Sequence, residues 1–239
     1  VEISQLLILQ FIAHLLADFF FQSNEMARDK SDLGISGKMI WWYILIVFII
    51  SWVLSFQFLF FIGSALIAGF HLLFDILKKE ISGISVLKKW LFFIDQASHL
   101  SFITLVVMLY SYLFNLAPIF QLPVSSRTLL IIGGYFICMS PANVIIKELL
   151  FAYNIKINNL VGDVSDLPNA GKLIGVIERL LTLTIFLIGE YEIIGFLLAA
   201  KSILRFREGD TIKAEYVLIG TMLSFSIAVG AGLLVNLLS

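Results

Sequence analysis

The chain has 239 residues and a net charge of −1, and it is 60% hydrophobic and 14% charged, with a mean hydropathy of +1.00. Soluble domains carry about 45–50% apolar and about 25% charged residues, so these figures exclude a disordered protein, a basic nucleic-acid-binding domain and an ordinary cytosolic enzyme. They lead to the expectation of an integral membrane protein built of spanning helices. Cys138 is the single cysteine, so no internal disulfide forms.

A span needs roughly 20 mostly apolar residues. Eight are predicted, at about 3–22, 39–56, 59–78, 90–113, 127–150, 171–188, 192–206 and 214–236. The first has no Lys or Arg ahead of it and no small-residue cleavage site after it, so a retained span rather than a cleaved signal is expected. Only Ser55, Gln57 and the Gly63-Ser64 pair separate the second span from the third, which predicts a tight turn. Pro118 and Pro123 mark the loop after the fourth span. The polar, turn-rich stretch KINNLVGDVSDLPNAG at 156–171 is the longest loop. The seventh span is short enough to be tilted or partly re-entrant. Long continuous apolar runs, in place of ten-residue alternation, argue against spanning strands. The expected fold is all-α, a polytopic helix bundle of about eight transmembrane helices. It divides loosely into two four-helix halves, 1–125 and 126–239.

Positive charge sets orientation. Arg28, Lys30 and Lys38 lie in the loop 23–38, Lys78, Lys79, Lys88 and Lys89 in 78–89, Lys147, Lys156 and Lys172 in 147–172, and Lys201, Arg205, Arg207 and Lys213 in 201–213. The alternate loops hold only Arg127. Every second loop is therefore basic, which predicts both termini outside the cytoplasm. Trp41, Trp42 and Trp90 fall at the predicted cytoplasmic interface. The expected location is a membrane, with the basic loops on its cytoplasmic side.

The chain has three histidines, and each stands four residues from an aspartate: His14 with Asp18, His71 with Asp75, and His99 with Asp95. That spacing puts both side chains on one helix face, about 5–6 Å apart at Cβ. With eight aspartates in the chain, a chance match of all three is on the order of one in a few thousand by simple counting, and helix geometry gives the spacing its meaning. All three pairs lie near the predicted cytoplasmic ends of their spans. An ionisable residue in a span costs roughly 2.5–3.5 kcal/mol on insertion scales and normally has a partner. Six such groups at one depth point to a shared divalent metal, zinc first, since imidazole and carboxylate are its nitrogen and oxygen ligands. Two metals, or manganese or iron, stay open. The aspartates are candidate general bases. Structural hydrogen bonding or a proton relay are the alternatives.

A second polar cluster comprises Glu178 and Arg179 in GKLIGVIERLL, Lys201, Ser202 and Arg205 in AAKSILRF, and Glu215. One reading is an internal ion-pair network, such as Glu178 with Lys201 or Arg205. The other is an anion pocket for a substrate headgroup, since Arg and Lys grip phosphate and carboxylate. Gly171 with Gly175, and Gly230 with Ala231 and Gly232, are expected to serve close helix packing. Gln22, Asn24 and Gln96 flank the first cluster as candidate ligand orienters or substrate contacts. Lys78 is expected to snorkel to the interface.

The elements AHLLADFFFQ at 13–22, HLLFDILKK at 71–79 and DQASHL at 95–100 resemble an uncharacterised family of bacterial multi-spanning membrane proteins, domain of unknown function 3307. The resemblance covers roughly the first half of the chain. It implies a membrane location and the grouping of the six His and Asp residues, but brings no activity. The later GKLIGVIERLL and GFLLAAKSILRF stretches resemble the extension of longer members. A remoter similarity, to bacterial inner-membrane metal-dependent hydrolases, rests on His/Asp motifs in spans and is an analogy of site.

The first functional expectation is a metal-dependent hydrolase acting on a lipid or other amphiphile from the cytoplasmic leaflet. The second is a metal-ion or proton transporter or channel. Against it, the external halves of the spans read as almost wholly apolar. A non-catalytic membrane partner subunit is the third. Membrane lipid is the expected partner, a homo-oligomer is compatible with the composition, and nucleic acid is excluded.

Overall fold

The computed structural model describes residues 2–33, 36–81, 85–114, 116, 118–119, 123–155, 170–205 and 211–239. The described residues form ten α-helices and no strand, in two compact units, 1–129 and 130–239. Most of the predicted loop 156–171, from 156 to 169, lies outside the described residues.

In the first unit α1 (Ile3–Leu16) runs on into a π-helical turn, Ala17–Phe21, and α3 (Lys38–Ser55), α4 (Phe61–Ile81) and α5 (Ser85–Leu113) complete a ring. In that ring α1 packs on α3, α3 on α4, α4 on α5 and α5 back on α1. Leu6, Val47, Phe60, Ile67, Ile103 and Val107 fill its centre. The tight turn between α3 and α4 is present. Phe56 takes a left-handed conformation at φ 54°, and Ser55 Oγ accepts the Gln57 N–H at 3.1 Å. Apolar side chains face outward along these helices, with Trp41 and Trp42 more than half exposed.

The segment 23–38, read as a basic loop, instead contains a helix, α2 (Asn24–Leu33). Ser23 Oγ accepts the Met26 N–H at 3.1 Å and so caps its start. Asp29 then reaches across to accept the Met39 N–H in the first turn of α3 at 2.9 Å. A carboxylate there satisfies one of that helix's free N–H groups and suits its dipole.

The second unit contains most of α6 (Ser126–Cys138), with α7 (Ser140–Ala152), α8 (Ala170–Ile188), α9 (Tyr191–Arg205) and α10 (Thr211–Leu238). The stretch 127–150, read as one span, is two helices bent by 50°. Pro141 lies in the first turn of α7 and has no N–H to continue the ladder, which accounts for the break. Here α8 packs on α10 and α9, and α7 on α8 and α10.

Among the described residues, five helical stretches are long and apolar enough to cross a membrane, or six if the bent pair is one span. Outside that set stand α8, which carries Lys172, Glu178 and Arg179, and α9, with 15 residues.

The glycines divide by what surrounds them. A Cβ on Gly232 would overlap the Phe186 ring of α8, so this glycine permits the α8–α10 approach. Gly171 and Gly230 face open space, and at Gly175 the neighbour is the Arg179 guanidinium. The packing role expected for Gly171, Gly175 and Gly230 therefore does not hold among the described residues, where no neighbouring helix meets them. Gly232→Val should lower stability by about 1–3 kcal/mol through overpacking. Gly230→Ala should be neutral or stabilising by up to about 1 kcal/mol. Thermal unfolding of the detergent-purified chain compares the two.

Candidate metal centre

His14 ends α1 on its buried face, one turn before Asp18. Asp18 falls in the π turn, whose wider coil re-aims the side chain while the helix continues. His71 lies in the middle of α4, and Asp95 and His99 one turn apart in α5. All three imidazoles are buried, His71 completely.

The four residues His14, Asp18, His71 and His99 converge. One ligand atom from each lies within 4.8 Å of the others. His71 and His99 stack face to face, with centroids 3.9 Å apart. The hydrogen bonds fix which nitrogens are free. His71 Nδ1 donates to the Ile67 carbonyl at 2.9 Å, so a neutral ring leaves a lone pair on Nε2. His14 Nε2 donates to Gln96 Oε1 at 3.1 Å, while the Gln96 amide donates to Asp18 and Asp95 carboxylate oxygens, each at 3.4 Å. That leaves the lone pair of His14 on Nδ1. His14 Nδ1 and His71 Nε2 face each other at 3.3 Å. Two lone pairs in that position call for a cation between them.

The donor set fits a metal. A tetrahedral ion with bonds of about 2.0–2.1 Å holds its nitrogen ligands about 3.3 Å apart, the separation seen here. Both ring nitrogens of His99 are buried without a hydrogen-bond partner among the described residues, an arrangement that costs free energy unless something binds them. Asp18 Oδ1 lies 3.7 Å from His14 Nδ1 and 3.8 Å from His71 Nε2, and it accepts the Tyr43 hydroxyl at 2.7 Å. The cluster of these four residues could hold a metal ion.

The other two aspartates turn elsewhere. Asp75 pairs with Lys30 of α2 at 2.7 Å, and Asp95 with Lys78 of α4 at 3.0 Å. Asp95 Oδ1 remains 4.0 Å from His99 Nε2. Lys78 is thus an ion-pair partner, with its side chain still 32% exposed. Lys30 also lies 4.5 Å over the Tyr43 ring. Two of the three carboxylates are thus matched by ammonium groups, and Asp18 is the one that faces the imidazoles. Gln96 is central, whereas Gln22 follows the π turn in extended backbone, outside this hydrogen-bonded group. For Asn24 the structure describes the start of α2 and not its side chain. Tyr43 and Lys30 went unrecognised in the sequence; their only signal was a tyrosine and a lysine near the same predicted interface.

The apolar character expected of the far halves of the spans does not hold inside the bundle. Gln10, Ser51 and Ser64 are buried and bonded together, with Ser51 Oγ 2.7 Å from Gln10 Oε1 and 3.0 Å from Ser64 Oγ. Further along, Tyr110 donates to Gln57 at 3.0 Å. A void of about 10 Å³, lined by Gln10, His14, Ser51 and His71 among others, lies between the column and the histidines. Each helix supplies only one or two of these residues, so no single span reads as polar.

In the second unit Glu178 pairs with Lys201, as the ion-pair reading expected. Arg179 has no carboxylate partner among the described residues. It is 2% exposed and donates to Cys138 O at 2.7 Å, Ser224 Oγ at 3.0 Å, Asn143 Oδ1 at 2.7 Å and Met139 O at 3.4 Å. Ser202 Oγ donates to Leu198 O at 2.9 Å within α9, and Glu215 is exposed. The Arg205 side chain lies outside the described residues.

No curated protein and no solved structure matches the chain. The model of one family does, over residues 6–126, which takes in all six His and Asp positions. The chain belongs to that family, described as protein of unknown function (DUF3307).

Proposed function

We propose that the protein is an integral-membrane, metal-dependent hydrolase whose centre is His14, His71 and His99 with Asp18. The observation carrying this is the pair of facing imidazole lone pairs at 3.3 Å, completed by the unpartnered ring of His99. A bound zinc ion would supply Lewis acidity and lower the pKa of a water toward 7. Asp18 Oδ1, oriented by Tyr43 and Gln96, is the group able to take and return a proton. Its distances of 3.7 and 3.8 Å to the two nitrogens exceed the spacing of about 3.3 Å within a tetrahedral ligand set, which suits a base beside the metal better than a ligand. Asp75 and Asp95, held by lysines, serve as electrostatic supports. In this reading all eight apolar stretches cross the bacterial inner membrane with both termini outside, as the alternating basic loops support, and the substrate is a lipid or other amphiphile.

The polar column from Gln10 to Gln57 favours a second reading, proton or cation passage. One experiment separates the two. The purified chain in nanodiscs of bacterial lipid should hold about one divalent metal, and mass spectrometry should detect a hydrolysed lipid that Asp18→Asn does not produce. A metal-free wild-type chain would sink the first reading. Metal without hydrolysis, together with proton flux in proteoliposomes lost in Gln10→Leu, would replace the first reading by the second.

A further inference from the structure

The second unit has a half-open cavity of about 400 Å³ beside the α6–α7 bend. That volume is within the usual range for small-molecule sites, about 300–1,000 Å³. Glycines at 171, 175 and 220 open it, and Glu178, Arg179 and Lys201 supply its charge. Gly171 and Gly220 leave space that no side chain of the described residues fills. At Gly175 an added Cβ would lie 3.2 Å from Arg179 Nη1, so the missing side chain clears a path to the guanidinium.

Arg179 bonds through all three of its nitrogens and keeps one Nη1 N–H, beside Gly175, without a partner among the described residues. Its four hydrogen bonds go to neutral oxygens, and a guanidinium has five N–H donors. A buried cation with only neutral partners is costly, and an anion is the partner that completes it. Lys201 and Glu178 form an ion pair only partly shielded from solvent. With Arg179 they leave the described lining of the cavity one positive charge. Ile174 lines the cavity and is itself half exposed, so polar depth and apolar rim meet at one opening.

From this arrangement we infer that the cavity binds a monoanionic phosphodiester, with Arg179 and Lys201 as its grips. A surplus of one positive charge matches a diester's single negative charge, and guanidinium with ammonium is the strong donor set for phosphate oxygens. The inference stands apart from the metal reading, since every group in it belongs to the second unit.

The test uses the full chain in neutral detergent. Native mass spectrometry follows binding of phosphatidylglycerol against phosphatidylcholine, with dimethyl phosphate as a soluble competitor. Wild type should bind one phosphatidylglycerol in preference to phosphatidylcholine. Gly220→Leu fills the space and should weaken that binding by at least about tenfold, the worth of one charge-assisted hydrogen bond. Leucine is the better helix former, so loss of folding should not obscure the result. Arg179→Gln should act in the same direction. Displacement by dimethyl phosphate supports a water-soluble diester as the source; phosphatidylglycerol binding that dimethyl phosphate cannot displace supports a lipid headgroup. Equal binding of the two lipids, or unchanged phosphatidylglycerol binding in Gly220→Leu, overturns the inference.

Discussion

His99→Leu should make the chelated protein more stable than chelated wild type while removing its metal-dependent stabilisation. The opposite signs follow from the surroundings of this ring. Both nitrogens are buried without partners, and the ring lies against His71, Phe70 and Phe74. Without metal the imidazole carries an unmet desolvation cost of about 1–3 kcal/mol, which an aliphatic side chain avoids. With metal the balance inverts. A ligand held at about a thousand times its Kd adds about 4 kcal/mol to stability, and the variant forgoes most of that. Thermal unfolding with and without a chelator reads both terms, and metal analysis reads the loss of the ion itself. If His99 were only a structural hydrogen-bonding residue, leucine would destabilise the protein equally in both conditions. His71→Ala gives the contrast, because its Nδ1 bond to Ile67 O is lost in either state. Gln96→Leu, which frees His14 Nε2, should weaken metal binding by about 10–100-fold, the usual cost of losing an outer-shell partner.

The convergence of three helices on one cluster was legible because helical periodicity turns a spacing of four into a shared face, and because buried ionisable groups seek company. Their final partners were not. Asp75 and Lys78 lie three apart on α4, yet Asp75 takes Lys30 from α2 and Lys78 takes Asp95 from α5. Long side chains choose among partners by tertiary geometry, on which sequence spacing is silent. Lys30 counted only as loop charge while 23–38 was read without a helix. The π turn under Asp18 has no periodic signature, since one widened turn does not alter the apolar pattern around it. In the second unit the Glu178–Lys201 pair was legible as opposite charges in adjoining spans. The role of Arg179 was not, because its strongest partners include main-chain carbonyls, which every residue possesses.

Those carbonyls make Arg179→Met the substitution with the largest expected loss of stability. The guanidinium donates to Cys138 O and Met139 O where α6 gives way to α7, and to Asn143 and Ser224 on either side. It therefore stitches a 50° bend to α8 and α10. Hydrogen bonds to a charged group contribute about 1.5–3 kcal/mol each. Relief of the buried charge offsets part of that sum, which leaves a net loss of about 3–5 kcal/mol, as for other broken buried charge networks. Within a bilayer, carbonyls freed at a bend have no water to turn to, which pushes the loss toward the upper end. Arg179→Lys separates charge from geometry. A single ammonium cannot reproduce the planar fork that spans four acceptors, so lysine should recover less than half of the deficit. Unfolding in mixed micelles measures the loss, and amide exchange at 138–143 locates it, with faster exchange expected there and little change in α1 or α3. Unchanged stability in Arg179→Met would mean that the bend is held by packing alone.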